Sequence, residues 1–250
     1  MAEGVSLARD GRSWQRGQPM SPPLERVLEP EVMDTPEEAR DYDAMDHAAV
    51  NAAFCVDLLA HGAIGPAILD VGTGTALIPI ELCTRVAGVH VVAVDLAEHM
   101  LALAKENVAR AGLQDRITLQ KVDAKGMPYD DGAFATTISN SIVHHIPDPR
   151  FVLSEMFRVT RSGGLVFVRD LARPTSNEEI ARLVELHGGQ PPADPTAVPA
   201  FEHQRELFRA SLAAALTVDE ITTIANAAGL KGCDVRMTSD RHWTLTFRKP

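Results

Sequence analysis

The sequence predicts an α/β fold: a doubly wound, seven-stranded, mostly parallel sheet with an antiparallel C-terminal strand and a helical cap. Three observations carry the expectation. From Ala67 to Arg169 short apolar runs alternate with longer segments of helical period. The run Ala67-Ile-Leu-Asp-Val71 passes through Gly72-Thr-Gly74 into a second apolar segment, which reads as strand, tight turn and helix start. Near the C-terminus two strand-like runs, Asp234 to Thr238 and Trp243 to Arg248, are joined by so short a turn that they must form an antiparallel hairpin.

Taken in order, residues 1–22 are polar and without period, the composition of a disordered tail. Residues 23–64 read as an N-terminal helical cap. Thr35-Pro36-Glu37-Glu38 has a capping residue, a proline suited to the first helical position and an acid placed to complete a capping box, and the helix should run to about Met45. A second helix from His47 to His61 carries Val50, Phe54, Leu58 and His61 at helical spacing and stops at Gly62.

Residues 65–171 read as the cofactor-binding core. Its strands are Ala67 to Val71, Val91 to Asp95, Ile117 to Val122, Ala133 to Ser139 and Leu165 to Arg169. Its helices are Ala76 to Val86, Ala97 to Ala111 and Arg150 to Val159, the second with Met100, Ala104, Val108 and Ala111 on one apolar stripe. Residues 172–216 form a helical insertion or lid: a capping box at Ser176 to Glu179 opens a helix to His187, a Gly/Pro-rich loop follows, and a helix runs from Phe201 to Leu216. Residues 217–250 supply a helix capped at Thr217 and Glu220, ending at Gly229, and the hairpin. Residues 23–250 are thus expected to make one domain.

Lys and Arg number 24 against 34 Asp and Glu, a net charge of −10, which works against the capture of phosphate backbones that underlies nucleic-acid affinity. No apolar run is long enough to span a bilayer and the start has no signal-peptide pattern, so a cytoplasmic protein without a membrane partner is expected. Cys55, Cys83 and Cys233 have no metal-ligand spacing and read as buried thiols, so no metal is implied.

Glycines at 72 and 74 let backbone N–H groups approach a ligand, because no Cβ stands in the way. The next strand-like run ends at Asp95, about twenty residues on, where nucleotide-binding βαβ units place an acid for ribose hydroxyls. A nicotinamide-type fingerprint would want a third glycine three residues after the second, and that position is Leu77.

The order of Leu-Asp-Val-Gly-Thr-Gly, Val-Asp after the second strand, Val-Asp-Ala after the third, Ser-Asn-Ser after the fourth and a closing hairpin resembles the class I S-adenosylmethionine-dependent methyltransferases, whose fold is Rossmann-like. The likeness is close over Ala67 to Leu171 and looser at the C-terminus, and points to the small-molecule branch with His-His-Ile-Pro-Asp after strand four. It implies S-adenosylmethionine as cofactor and S-adenosylhomocysteine as product. Gly72, Thr73 and Gly74 would line the methionine part with Asp70 nearby, and Asp95 would hold the ribose hydroxyls. Leu96 and Met100 would touch the adenine, Asp123 would accept from its amine with Ala124 beside it, and Asn140 and Ser141 would flank the methyl. Asp123 also suits a turn or cap. The family's usual third small residue is Ala76 here instead of glycine.

The same resemblance bears on the acceptor. Amino-methylating nucleic-acid enzymes of the family carry Asn-or-Asp-Pro-Pro-aromatic at the exit of strand four, whereas this chain has Asn140-Ser-Ile-Val and only 5% aromatic residues. A small-molecule acceptor is therefore expected, and DNA and RNA are not. A macromolecular acceptor and a non-catalytic nucleotide-binding relic are the competing readings. His145, with His144 as alternative, is the candidate to deprotonate or orient the acceptor, since a neutral imidazole can take its proton; either ring can instead serve the local backbone. Asp170 and Arg173, after strand five, suit a charged substrate group or a bridge to each other. Arg205 and Arg209 fit a solvated helix face.

Overall fold

The computed structural model describes residues 24–29, 34–43 and 48–250, so the expected disorder of residues 1–22 lies outside the described residues, as does the side chain of Glu38. Helices α1 (Pro36–Asp43) and α2 (Ala48–Ala60) precede strand β1 (Ala67–Val71). The chain then alternates through α3 (Leu77–Arg85), β2 (His90–Asp95), α4 (Glu98–Ala111), β3 (Ile117–Lys121), β4 (Phe134–Asn140), α5 (Arg150–Val159) and β5 (Thr160–Leu171). Helices α6 (Asn177–His187), α7 (Val198–Ala214) and α8 (Val218–Ala227) follow, and strands β6 (Asp234–Met237) and β7 (His242–Arg248) close the chain.

The seven strands lie in the order β3-β2-β1-β4-β5-β7-β6. β1 to β5 are parallel, and β7 runs antiparallel between β5 and β6. The chain winds outward in one direction from β1 through β3 and in the other from β4, so the order reverses between β1 and β4. Their carboxyl ends diverge there and leave a crevice, the place where open α/β sheets bind ligands. Val71 of β1 faces Ser139 of β4 in register, and the Ser139 hydroxyl donates to the Val71 carbonyl at 2.8 Å, pinning the two strand ends.

Alternation along the inner strands builds a core on each face of the sheet. Ile68, Val91, Ala93, Ile138, Leu165 and Phe167 pack with Phe54, Leu58 and Leu82 on one side. Leu69, Val71, Val94, Val166 and Val168 pack with Leu153, Met156, Ile221 and Trp243 on the other. Strands apolar on both faces need helices on both faces, which is why α2 to α5 and α8 lie where they do.

Several boundaries differ from the expected ones. β5 starts at Thr160, because Thr160 pairs with Phe134 ahead of an irregularity in the ladder, and Gly164 packs where a Cβ would stand 2.7 Å from the Ala135 carbonyl. α7 starts at Val198 because Pro199 fits a first turn, where no donor is needed. Ala111, expected on the buried stripe of α4, is exposed, while Met100, Ala104 and Val108 are buried. The Thr217 and Glu220 capping box forms completely; at Ser176 the hydroxyl caps Glu179 while the Glu179 carboxylate pairs with Arg182 at 2.8 Å. Cys55 and Cys83 are buried, Cys233 is partly exposed, and all three are free thiols. No helix among the described residues is long and apolar enough to cross a membrane.

Candidate active site

The turn after β1 is fastened to β2. Gly72 and Thr73 both donate to the Val94 carbonyl at 2.9 Å, and Asp95 accepts from Gly74 N–H at 2.8 Å through Oδ2 and from Ala97 N–H at 2.9 Å through Oδ1. Gly72 has φ +73°, and a Cβ there would stand 2.2 Å from Ile142 Cγ2, so the glycine is required twice over. Ala76, at the start of α3, also has a left-handed φ of 63°. The alanine standing where the family favours glycine therefore carries backbone strain of about 1 kcal/mol in addition to its bulk.

A cavity of about 160 Å³ opens beside this turn. Nine of the eleven predicted cofactor residues line it: Gly72, Gly74, Asp95, Leu96, Met100, Asp123, Ala124, Asn140 and Ser141. Asp70 and Thr73 do not; they lie buried beneath the turn, at 2% and 8% exposure. Asp123 combines both readings considered for it, since its Oδ1 accepts from Lys125 N–H at 2.9 Å while the residue faces the cavity. Ser141 is held at φ 59° with its N–H on the Arg169 carbonyl at 2.9 Å, a non-glycine residue in a costly conformation of the kind that gathers at functional sites.

Burial pushes the Asp70 carboxyl up to about 7, with the neighbouring Thr73 hydroxyl opposing and the Asp95 charge adding. Asp70 Oδ2 and Asn140 Oδ1 are buried without a hydrogen-bond partner among the described residues. Asp95 is also raised, by burial above all, with its three backbone N–H partners opposing. The half-buried Asp95 on the cavity wall and the buried Asp70 beneath the glycine turn make this end of the cavity electronegative. These residues fit S-adenosylmethionine, whose sulfonium and ammonium are cationic and whose ribose and adenine offer donors.

A second, larger cavity of about 610 Å³ adjoins the first through Tyr42, Asn140, Ser141 and His145, which line both. Its far wall comes from α6, the following loop and α7, including His187, Gln190, Phe201 and Phe208; its near wall includes Asp41, Val50 and Glu29. Tyr42 and Glu29 were not indicated by the sequence. Both come from the segment ahead of β1, where no motif spacing relates them to the sheet edge.

The histidine pair sits on a 3-10 turn, Val143–His145, leaving β4. His144 is 3% exposed, and its Nδ1 meets Asp170 Oδ1 at 2.5 Å. Asp170 is fully buried and accepts from the N–H groups of Val143 (2.6 Å), His144 (3.3 Å) and Leu171 (2.6 Å), so it shapes this turn from within and does not line the cavities. Burial opposes its charge, but His144 and the backbone donors prevail and hold it below the usual carboxylate range. The converse balance raises His144: burial disfavours its cation, Asp170 outweighs burial and Glu29 adds. His145, ring to ring with His144 at 4.0 Å, is driven down to about 3 by burial and by the His144 charge, so it is a neutral imidazole. Arg173 is also turned inward, donating to the Ala215 carbonyl at 2.8 Å and pairing with Glu220; it neither meets Asp170 nor lines either cavity. Arg205 and Arg209 pair with Glu185 and Glu206 on the surface.

Residues 68–164 match the family model described as a methyltransferase domain. Over that stretch the chain is similar to methyltransferase domains. Over 110 residues it is 38% identical to a phosphatidylethanolamine N-methyltransferase of Cereibacter sphaeroides, covering 44% of this chain and 53% of that protein. Over a further 110-residue alignment it is 34% identical to a ubiquinone/menaquinone biosynthesis C-methyltransferase of Geobacter sp. (strain M21), covering 43% and 46%. The matches thus span about half the length of these relatives. Among solved structures the fold is similar to a SAM-dependent methyltransferase from Aquifex aeolicus (TM-score 0.61, 18% identity, 86% of this chain and 98% of that one). It is also similar to phosphoethanolamine N-methyltransferase 2 of Haemonchus contortus in complex with S-adenosyl-L-methionine (TM-score 0.61, 18%, 86% and 57%). The matched stretch runs from β1 into β5 and holds the glycine turn, Asp95, Asp123, Asn140 and both histidines, while Glu29, Tyr42 and the walls from α6 and α7 lie outside it.

Proposed function

We propose that this protein transfers a methyl group from S-adenosylmethionine to a small-molecule acceptor seated in the larger cavity. The observation that carries the reading is the junction: a glycine turn latched by Asp95 at the sheet's switch point opens into one cavity, and Tyr42, Asn140, Ser141 and His145 join it to a second. The second cavity falls within the range of about 300–1,000 Å³ typical of small-molecule sites. The methyltransferase relatives named for an ethanolamine phospholipid and for quinone precursors support acceptors of that scale.

Bound in the smaller cavity, S-adenosylmethionine supplies an electrophilic methyl on a sulfonium for in-line displacement and leaves as S-adenosylhomocysteine. The chain's own part is alignment, which can supply about 7–11 kcal/mol of a bimolecular barrier. Asp95 and the Gly72–Gly74 turn hold the cofactor side; Asn140 and the strained Ser141 present polar atoms at the junction. His145 deprotonates or orients the acceptor, with His144 behind it fixed by Asp170. Driven down to about 3, His145 stays a neutral hydrogen-bonding group at working pH and a weak base, so orienting the acceptor is the larger part of its role. The test is release of S-adenosylhomocysteine across a panel of amines, phenols and quinols. Turnover on at least one is expected, and tight cofactor binding with no turnover on any acceptor, macromolecules included, would make the protein a binding relic.

A further inference from the structure

Three side chains at the edge of the larger cavity, His144 buried and Glu29 and His145 partly so, are incompletely used. The Glu29 side chain is 9% exposed and its Oε1 has no hydrogen-bond partner among the described residues; the same holds for His145 Nδ1. Glu29 Oε2 and His145 Nδ1 are 3.8 Å apart, too far for a hydrogen bond. His144 spends Nδ1 on Asp170, which leaves Nε2 for any other ligand. Ligand atoms of Glu29, His144 and His145 all lie within 4.8 Å of one another.

We infer, building on the proposed methyl transfer, that Glu29, His144 and His145 hold one divalent transition-metal ion of the zinc, cobalt(II) or iron(II) kind that binds the acceptor. Two ligand atoms on a tetrahedral zinc stand about 3.4 Å apart, close to the spacing across Glu29 and His145. Two imidazoles and one carboxylate make a borderline donor set that favours such ions over calcium or magnesium. The His144–Asp170 contact is the arrangement in which a ligating histidine gives its other N–H to a carboxylate, fixing the ring and raising its basicity. Glu29 is itself held in place: Val27 N–H donates to the Ala213 carbonyl at 3.1 Å, and Arg26 is spent on the carbonyls of His144, Ile146 and Ala214. Three protein ligands leave coordination positions open, and all three residues line the larger cavity. An acceptor hydroxyl taking one of them would have its pKa lowered and release its proton to solvent, in reach of the cofactor side through His145.

The experiment uses the full, untagged chain, stripped with a chelator and titrated with Co²⁺ by visible absorption and with Zn²⁺ by calorimetry, in parallel with S-adenosylmethionine. One Co²⁺ per chain with a ligand-field band is expected. Glu29→Gln and His145→Ala should each weaken it at least tenfold, and Asp170→Asn by about 10–100-fold through the lost hold on the His144 ring. Glu29→Gln, nearly isosteric, should keep both its circular-dichroism spectrum and its S-adenosylmethionine affinity. No saturable Co²⁺ or Zn²⁺ binding below millimolar concentration would overturn the metal site, and so would wild-type metal affinity in folded Glu29→Gln. Metal binding without S-adenosylmethionine binding would instead sink the methyl-transfer reading and leave the ion site standing.

Discussion

At the residue scale the most testable group is Asp70. Its folded pKa of about 7 lies above the ordinary 3.8, so the fold binds a proton that the unfolded chain has released. Stability from this group is complete below about pH 4 and is lost as pH rises through about 7. A cationic cofactor above the turn favours the ionised form. Its affinity should therefore rise between pH 5.5 and 8 with proton release on binding, and Asp70→Asn should flatten both trends; calorimetry in buffers of different ionisation enthalpy reads this directly. His145→Ala should lower turnover by about 10² while changing S-adenosylmethionine affinity little. Near-wild-type turnover in both the His145→Ala and His144→Ala variants would make the pair structural. Asp70, Asp95 and the histidines were legible because each sits at a fixed offset from a strand end. The inward turn of Asp170 was not, since its partners are backbone N–H groups on a different connection.

At the element scale the glycine turn, the parallel order and the closing hairpin could be read from periodicity, because strands buried on both faces and amphipathic helices leave strong patterns. The start of β5 and the start of α7 could not, because a ladder irregularity and a proline in a first turn are decided by the neighbouring strand and by backbone geometry. The N-terminal cap and the 172–216 insertion or lid both contribute residues that line the larger cavity. Closure is the corresponding prediction: amide hydrogen exchange in α1, α2, α6 and α7 should slow when S-adenosylhomocysteine is added. Unchanged exchange with ligand demonstrably bound would make these helices fixed scaffold.

At the scale of the whole molecule, the proposed cofactor shelf lies, Tyr42 apart, in the stretch that matches methyltransferases, whereas most of the lining of the proposed acceptor cavity lies outside it. Shelf residues follow from local motifs; the walls depend on how helices far apart in sequence pack, which is why Glu29 and Tyr42 were invisible until the fold was known. The central claim is that the shelf binds S-adenosylmethionine through Asp95 and the glycine turn. Asp95 latches that turn by two backbone hydrogen bonds, so its loss should cost on the order of 2–3 kcal/mol in binding. The most direct measurement is calorimetric titration of the wild type and Asp95→Ala with S-adenosylmethionine and with NAD. The account predicts saturable S-adenosylmethionine binding weakened tens-fold or more in the variant, and no NAD binding; tight NAD binding with no response to S-adenosylmethionine would contradict it.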